Sequence, residues 1–111
     1  MRARMLVAAA TLALIPLMPT APAGSAEGAT LRTWQRLAMC ESSGRWHLNT
    51  HNGYYGGLQF SRSTWRAYGG TRYTRLPNRA TKRHQIRVAE RVRRHQGWGA
   101  WPSCSARLHL R

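Results

Sequence analysis

Aspartate is missing altogether from this chain, and only three carboxylate side chains remain: Glu27, Glu41 and Glu90. Without an aspartate, a Ser-His-Asp triad has no acid to orient its histidine. Two catalytic carboxylates flanking a glycosidic bond are equally hard to assemble. Glu27 lies near the start of the mature chain. Glu90 has Arg87, Arg91, Arg93 and Arg94 nearby and reads as a salt-bridged helix residue. Cysteine is also scarce. Cys40 and Cys104 are the whole supply, so neither a dense disulfide framework nor a C-x-x-C zinc pair is present. No glycine pattern of the phosphate-cradling kind occurs, since Gly56-Gly57 and Gly69-Gly70 are only pairs.

Long apolar runs are confined to the N-terminus. Arg2 and Arg4 precede an apolar stretch from Met5 to Ile15, broken by Pro16 and Pro19. Small residues follow from Ala21 to Ala26. The pattern is that of a secretory signal peptide over residues 1–26, cleaved after Ala26 or after Ala23. The run is too short to cross ~30 Å of hydrocarbon, which disfavours a membrane anchor. The expected product is a secreted, extracellular or wall-associated domain over residues 27–111, monomeric and free of the membrane once the leader is removed. In an exported protein, Cys40 and Cys104 are expected to pair as a disulfide. That bond closes a loop of 64 positions, worth about 4 kcal/mol on chain entropy. Zinc held by these cysteines and the histidines is the weaker alternative, and neither a metal nor a cofactor is expected.

What the chain has in excess is positive charge. Of 18 basic residues 17 are arginine; Arg2 and Arg4 lie in the leader, leaving 16 against three carboxylates. Such a surface attracts polyanions. Export points to an anionic cell wall rather than to nucleic acid.

The periodicity predicts an α+β domain of about three helices, a short β-hairpin and one disulfide. Thr30 or Thr33 caps a first helix running to about Ser42, with Trp34, Leu37 and Ala38 inward. Asn52-Gly53 marks a turn before a hairpin or extended loop, in which Gly56-Gly57 permits a close approach. Ser61 or Ser63 caps a second helix that ends at Gly69-Gly70. Residues 71–79 form an irregular loop. Thr81 caps the longest helix, to about Gln96, with Gln85, Val88, Ala89, Val92 and Gln96 inward. Arg83, Arg87, Arg91 and Arg94 lie on its outer face. The tail from Trp98 to Cys104 reads as loop.

Glu41 is the candidate catalytic residue. It stands seven residues after Trp34 and four after Leu37, which places a carboxyl on the apolar face. Burial and a position in the last helical turn disfavour the charged form. A carboxylic acid that holds its proton near neutrality suits a general acid. Five tryptophans and four tyrosines supply flat faces for sugar rings. Trp34 and Trp65 read as core; Trp46, Tyr54, Tyr55 and Trp98 are candidates for an exposed groove. A lone acid can cleave a glycoside whose own 2-acetamido group serves as the nucleophile, as in the muramic acid unit of peptidoglycan.

The segments WQRLAMCESSGRW, NTHNGYYGGLQF, STW and QGWGAWPSC closely resemble the transglycosylase-like domain of actinobacterial resuscitation-promoting factors. The resemblance covers Trp34 to Leu110. It implies a lysozyme-like fold acting on peptidoglycan glycan strands, with Glu41 as catalytic acid and Cys40 bonded to Cys104. It further implies substrate roles for Tyr54, Thr64 and Gln96, and for Asn49, Gln59, Trp46 and Trp98. A partner wall hydrolase and anionic wall polymers are further expected associates, and promotion of regrowth of dormant cells is the expected outcome. The chain departs from the family pattern at Gln35, where the family has aspartate, and at Ser43 and His51, where it has glycine. Arg75, Arg79, Lys82 and Arg83 make basic a loop that the family keeps acidic. The competing reading is a non-catalytic cationic module that binds the wall or signals through the same groove.

Overall fold

The computed structural model describes residues 29–111; the leader and Glu27 lie outside the described residues. Thr30 opens α1 (Leu31–Ser42) by accepting the Thr33 N–H on its side chain, which satisfies one of the orphan donors of the first turn. The helix buries Trp34, Leu37 and Ala38 and ends at Ser43, in the left-handed conformation with φ 58°. A turn held by the Asn52 side chain then leads into β1 (Tyr54–Tyr55), which pairs antiparallel with β2 (Phe60–Ser61). The register is Tyr54 opposite Ser61 and Tyr55 opposite Phe60. The hairpin is therefore closed by residues 56–59, and the Asn52-Gly53 turn precedes it.

Ser61 accepts the Thr64 N–H and starts α2 (Arg62–Ala67). The segment expected to be irregular contains two 3-10 turns, Gly70–Arg72 and Pro77–Arg79. Thr81 caps α3 (Lys82–Gln96), which stops at Gly97 with φ 76°. The tail differs from expectation. After a 3-10 turn at Trp98–Ala100 it forms a fourth helix, α4 (Pro102–Arg107). Pro102 sits in its first turn, where the missing N–H is harmless and the fixed φ favours helix. Cys104 on α4 bonds to Cys40 on α1 with Cα atoms 5.9 Å apart, so the expected disulfide is present. Among the described residues four α-helices and a two-stranded sheet give the α+β, small lysozyme-like arrangement that the family resemblance implies. Among the described residues no helix is long and apolar enough to cross a membrane.

The core lies between α1, α3 and the tail. Trp34, Leu37 and Ala38 meet Val88, Ala89 and Val92, with Trp98, Trp101, Leu58 and Phe60 closing the sides. Trp34 packs on Trp98 at 5.1 Å and on Trp101 at 5.4 Å between ring centroids, the tilted and edge geometries that aromatic rings favour. One buried polar residue organises the hairpin. The Gln85 amide oxygen accepts the Gly57 N–H at 3.0 Å, and its nitrogen donates to the carbonyls of Trp46 and Ala80. The close approach expected at Gly56-Gly57 is thus explained. A Cβ on Gly56 would sit 2.5 Å from the Gln85 oxygen, and one on Gly57 would enter the Trp46 ring.

Two predictions concern stability. Gln85→Leu should lower unfolding free energy by more than about 3 kcal/mol, because three buried backbone groups lose their partner; chemical denaturation measures it. Ser43 and His51 stand at φ 58° and 62°, in the left-handed region that favours glycine. Ser43→Gly should therefore stabilise the fold by about 0.5–1 kcal/mol, read as a raised Tm, since the left-handed region costs non-glycine residues most.

Candidate active site

Glu41 occupies the last turn of α1, between two fixed neighbours. Cys40 is tied to α4 by the disulfide. Ser42 is buried, its hydroxyl within 3.0 Å of the Ala38 carbonyl and 2.9 Å of the Gly57 carbonyl, and it accepts the Arg45 N–H. The helix end is thereby anchored to both the tail and the hairpin loop, which holds the carboxyl in place. Burial raises the Glu41 pKa above its ordinary value.

The carboxyl opens into a concavity of about 310 Å³ lined by Glu41, Tyr54, Gln59, Ala100, Trp101, Pro102, Ser103 and Cys104. A second, of about 90 Å³, adjoins it and shares Tyr54, Gln59, Ala100 and Trp101. Its further walls are Phe60, Ser61, Thr64, Val92 and Gln96. Together they make one groove, with the acid at one end and the Thr64 and Gln96 side chains at the other. Each polar wall has its spare hydrogen-bonding capacity defined. Gln59, at φ 55°, donates its amide to the Gly56 carbonyl at 3.0 Å, which leaves its oxygen to accept. Gln96 donates to the Tyr68 hydroxyl at 3.0 Å, with the same result. Thr64 receives the Ser61 hydroxyl at 3.0 Å. Tyr54, half exposed, offers a ring face beside the acid.

Five of the residues singled out from the sequence therefore meet in this groove: Glu41, Tyr54, Gln59, Thr64 and Gln96. Four do not line it. Tyr55 is half-buried and stands opposite Phe60 in the hairpin. Trp46 packs over Gly57, stacks under the Lys82 ammonium at 5.5 Å and lends its carbonyl to Gln85, so it braces the hairpin loop. Asn49 bridges Tyr55 and accepts the His51 N–H in a turn. Trp98, expected in an exposed groove, is 9% exposed and packs on Trp34 and Trp101. It is core, because the chain turns at Gly97 and directs the ring inward. Trp101 is the residue that sequence reasoning missed. It lines both concavities, and its indole N–H is held by the Leu58 carbonyl at 2.9 Å. The only available signal was its place in the segment QGWGAWPSC.

Glu90 keeps the helix ion pair expected of it and has a second role that sequence did not show. Its ion pair with Arg93 is long, at 3.9 Å, while its other oxygen accepts the buried Trp34 indole N–H at 2.8 Å. Glu90 thus serves the core and stands outside the groove. Among the described residues no group of three His, Cys or Glu side chains gathers as a metal site would.

A family model described as the transglycosylase-like domain matches residues 28–104. Resuscitation-promoting factor Rpf1 of Corynebacterium glutamicum is 57% identical over 91 residues, covering 82% of this chain and 47% of that protein. The corresponding factor Rpf of Micrococcus luteus is 54% identical over 85 residues, covering 77% and 37%. RpfE of Mycobacterium tuberculosis is 53% identical over 74 residues, covering 67% and 41%. The chain thus spans less than half the length of these relatives.

The raised Glu41 pKa has a testable sign. Protons bind the folded state more tightly than the unfolded one. The resulting stability is complete below the unfolded carboxyl value and is lost as pH rises through the higher folded value. Across that window the Tm of Glu41→Gln should gain on that of the native protein, and below it the difference should be flat. A Tm difference independent of pH would contradict a carboxyl shifted by burial.

Proposed function

The chain belongs to the transglycosylase-like domain family found in the resuscitation-promoting factors, and on that premise we propose that it cleaves peptidoglycan glycan strands with Glu41 as its single acid and base. The observation that carries this reading is the fate of the two described carboxylates. Glu90 accepts the Trp34 indole N–H and lies among the arginines of α3, whereas Glu41 lines the groove beside Tyr54 and Gln59 with a pKa raised by burial.

The chemistry follows from having one acid. Glu41 protonates the oxygen that links the muramic acid unit to the next sugar, and that C–O bond breaks. The 2-acetamido oxygen of the same muramic unit bonds to the anomeric carbon, so no second carboxylate is needed. The 6-hydroxyl then attacks that carbon, releases the acetamido oxygen and gives its proton to the Glu41 carboxylate. The acid is restored and the product is a 1,6-anhydro sugar. Tyr54 offers its exposed ring to the sugars, and the buried Trp101 forms the wall of the groove behind it. Thr64, Gln59 and Gln96 offer hydrogen-bonding groups to hydroxyls and acetamides. Asn49 and Trp46 act at one remove, by shaping the loop that carries Tyr54 and Gln59. We place the enzyme outside the cell, on the wall, where cutting glycan strands promotes the regrowth of dormant cells. A wall hydrolase acting on the cut strands is its expected partner.

Glu41→Gln should fold and lose activity by about 10²–10⁴-fold, because the amide keeps the shape and has no acidic proton. Gln96→Ala and Thr64→Ala should mainly raise KM. Mass spectrometry of the released muropeptides reads the mechanism. Products lighter by one water support the intramolecular route; fully hydrated products would replace it with hydrolysis.

A further inference from the structure

The 16 basic residues that follow the leader have very few internal counterions. Among the described residues the only carboxylates are Glu41, in the groove, and Glu90, held by Trp34, and Arg93–Glu90 is the only side-chain ion pair. Arg83, Arg87 and Arg94 are exposed on α3. At 100° per residue they fall within one narrow sector, roughly opposite Val92 and Gln96, which face the groove. Helical rise separates Arg83 from Arg87 by about 6 Å and from Arg94 by about 16 Å. They line a concavity of about 410 Å³ together with the half-buried Ile86 and Glu90. Arg91, expected from the sequence on the same outer face, is half-buried and donates to the Tyr68 carbonyl at 2.9 Å, so it is a fixed border of this row.

Three exposed guanidiniums stand beside one carboxylate, Glu90, which already accepts the Trp34 indole N–H and pairs with Arg93, so the row keeps an excess of positive charge suited to a chain of anions in series. We propose that this outer face of α3 docks a linear phosphodiester polymer of the cell wall, while the groove on the opposite face engages the glycan. The proposal deepens the assignment of a wall-cutting enzyme and names a second partner for it. Arginine favours phosphate because its planar fork can grip two oxygens at once. A flexible polyol phosphate chain can match the spacing of the row. Docking there leaves the groove unobstructed, so one molecule can hold the wall and cut it.

Binding of a soluble, fluorescently labelled poly(glycerol phosphate) tests this between about 50 and 200 mM salt. Three proteins are compared: the native domain, R83Q/R87Q/R94Q, and R32Q/R36Q/R66Q. The last loses the same charge from exposed positions elsewhere. The α3 variant should bind about tenfold more weakly and lower the slope of log affinity against log salt by about 2, with its Tm unchanged. The control variant should stay within about threefold of native. Turnover of short, uncharged glycan fragments should be the same in all three. Equal weakening in both variants would overturn the proposal, since net charge alone would then govern binding. So would a DNA oligonucleotide of matched charge binding more tightly than the polymer. Native protein that binds the polymer yet leaves glycan fragments uncut would refute the enzymatic reading and leave the docking face standing.

Discussion

The indole of Trp34 is the contact on which the rest of the molecule depends. Its ring fills the junction of α1, α3 and the tail, packed on both Trp98 and Trp101. Its N–H needs an acceptor in that dry setting, and Glu90 provides one. This single demand settles two things. It fixes α1 on α3, which aims the last turn of α1 at the hairpin. It also engages one of the two described carboxylates, which leaves Glu41 as the acid of the groove.

Local signals explain why so much of the fold could be read in advance. Thr30, Ser61 and Thr81 cap their helices through side-chain bonds spanning three residues, and such bonds are visible in sequence. The inward positions of α1 and α3 follow from helical period. Glu41 was legible for the same reason: its spacing from Trp34 and Leu37 is a statement about one helix. The contacts that sequence did not reveal share an opposite character. Glu90 meets Trp34 across 56 positions, and Trp101 meets Leu58 across 43. No periodicity carries such pairings. Trp98 went wrong because an aromatic ring in a glycine-flanked tail looks exposed, whereas the turn at Gly97 folds it inward. Helix α4 was missed because its six residues have no side-chain cap and depend on tertiary anchorage through Cys104.

Gln85 shows how a buried polar group specifies the site. An apolar side chain would fill the same space but would leave Gly57, Trp46 and Ala80 without partners. The amide therefore selects one conformation of the hairpin loop. That loop carries Tyr54 and Gln59, and its Gly57 carbonyl receives Ser42 beside the acid. Core order on α3 is thereby passed to the groove through backbone contacts. Positive φ at Ser43, His51 and Gln59 shows the same region carrying local strain.

The covalent link between α1 and α4 also defines a path for mechanical load. Glu41, Tyr54, Gln59, Thr64, Gln96 and Trp101 all lie in the stretch that the Cys40–Cys104 bond closes into a ring. A pull applied to the chain before α1 and after α4 runs through the sulfur bridge and bypasses that ring. A domain stretched by its ends in this way keeps Glu41, Tyr54, Gln59, Thr64, Gln96 and Trp101 off the line of force.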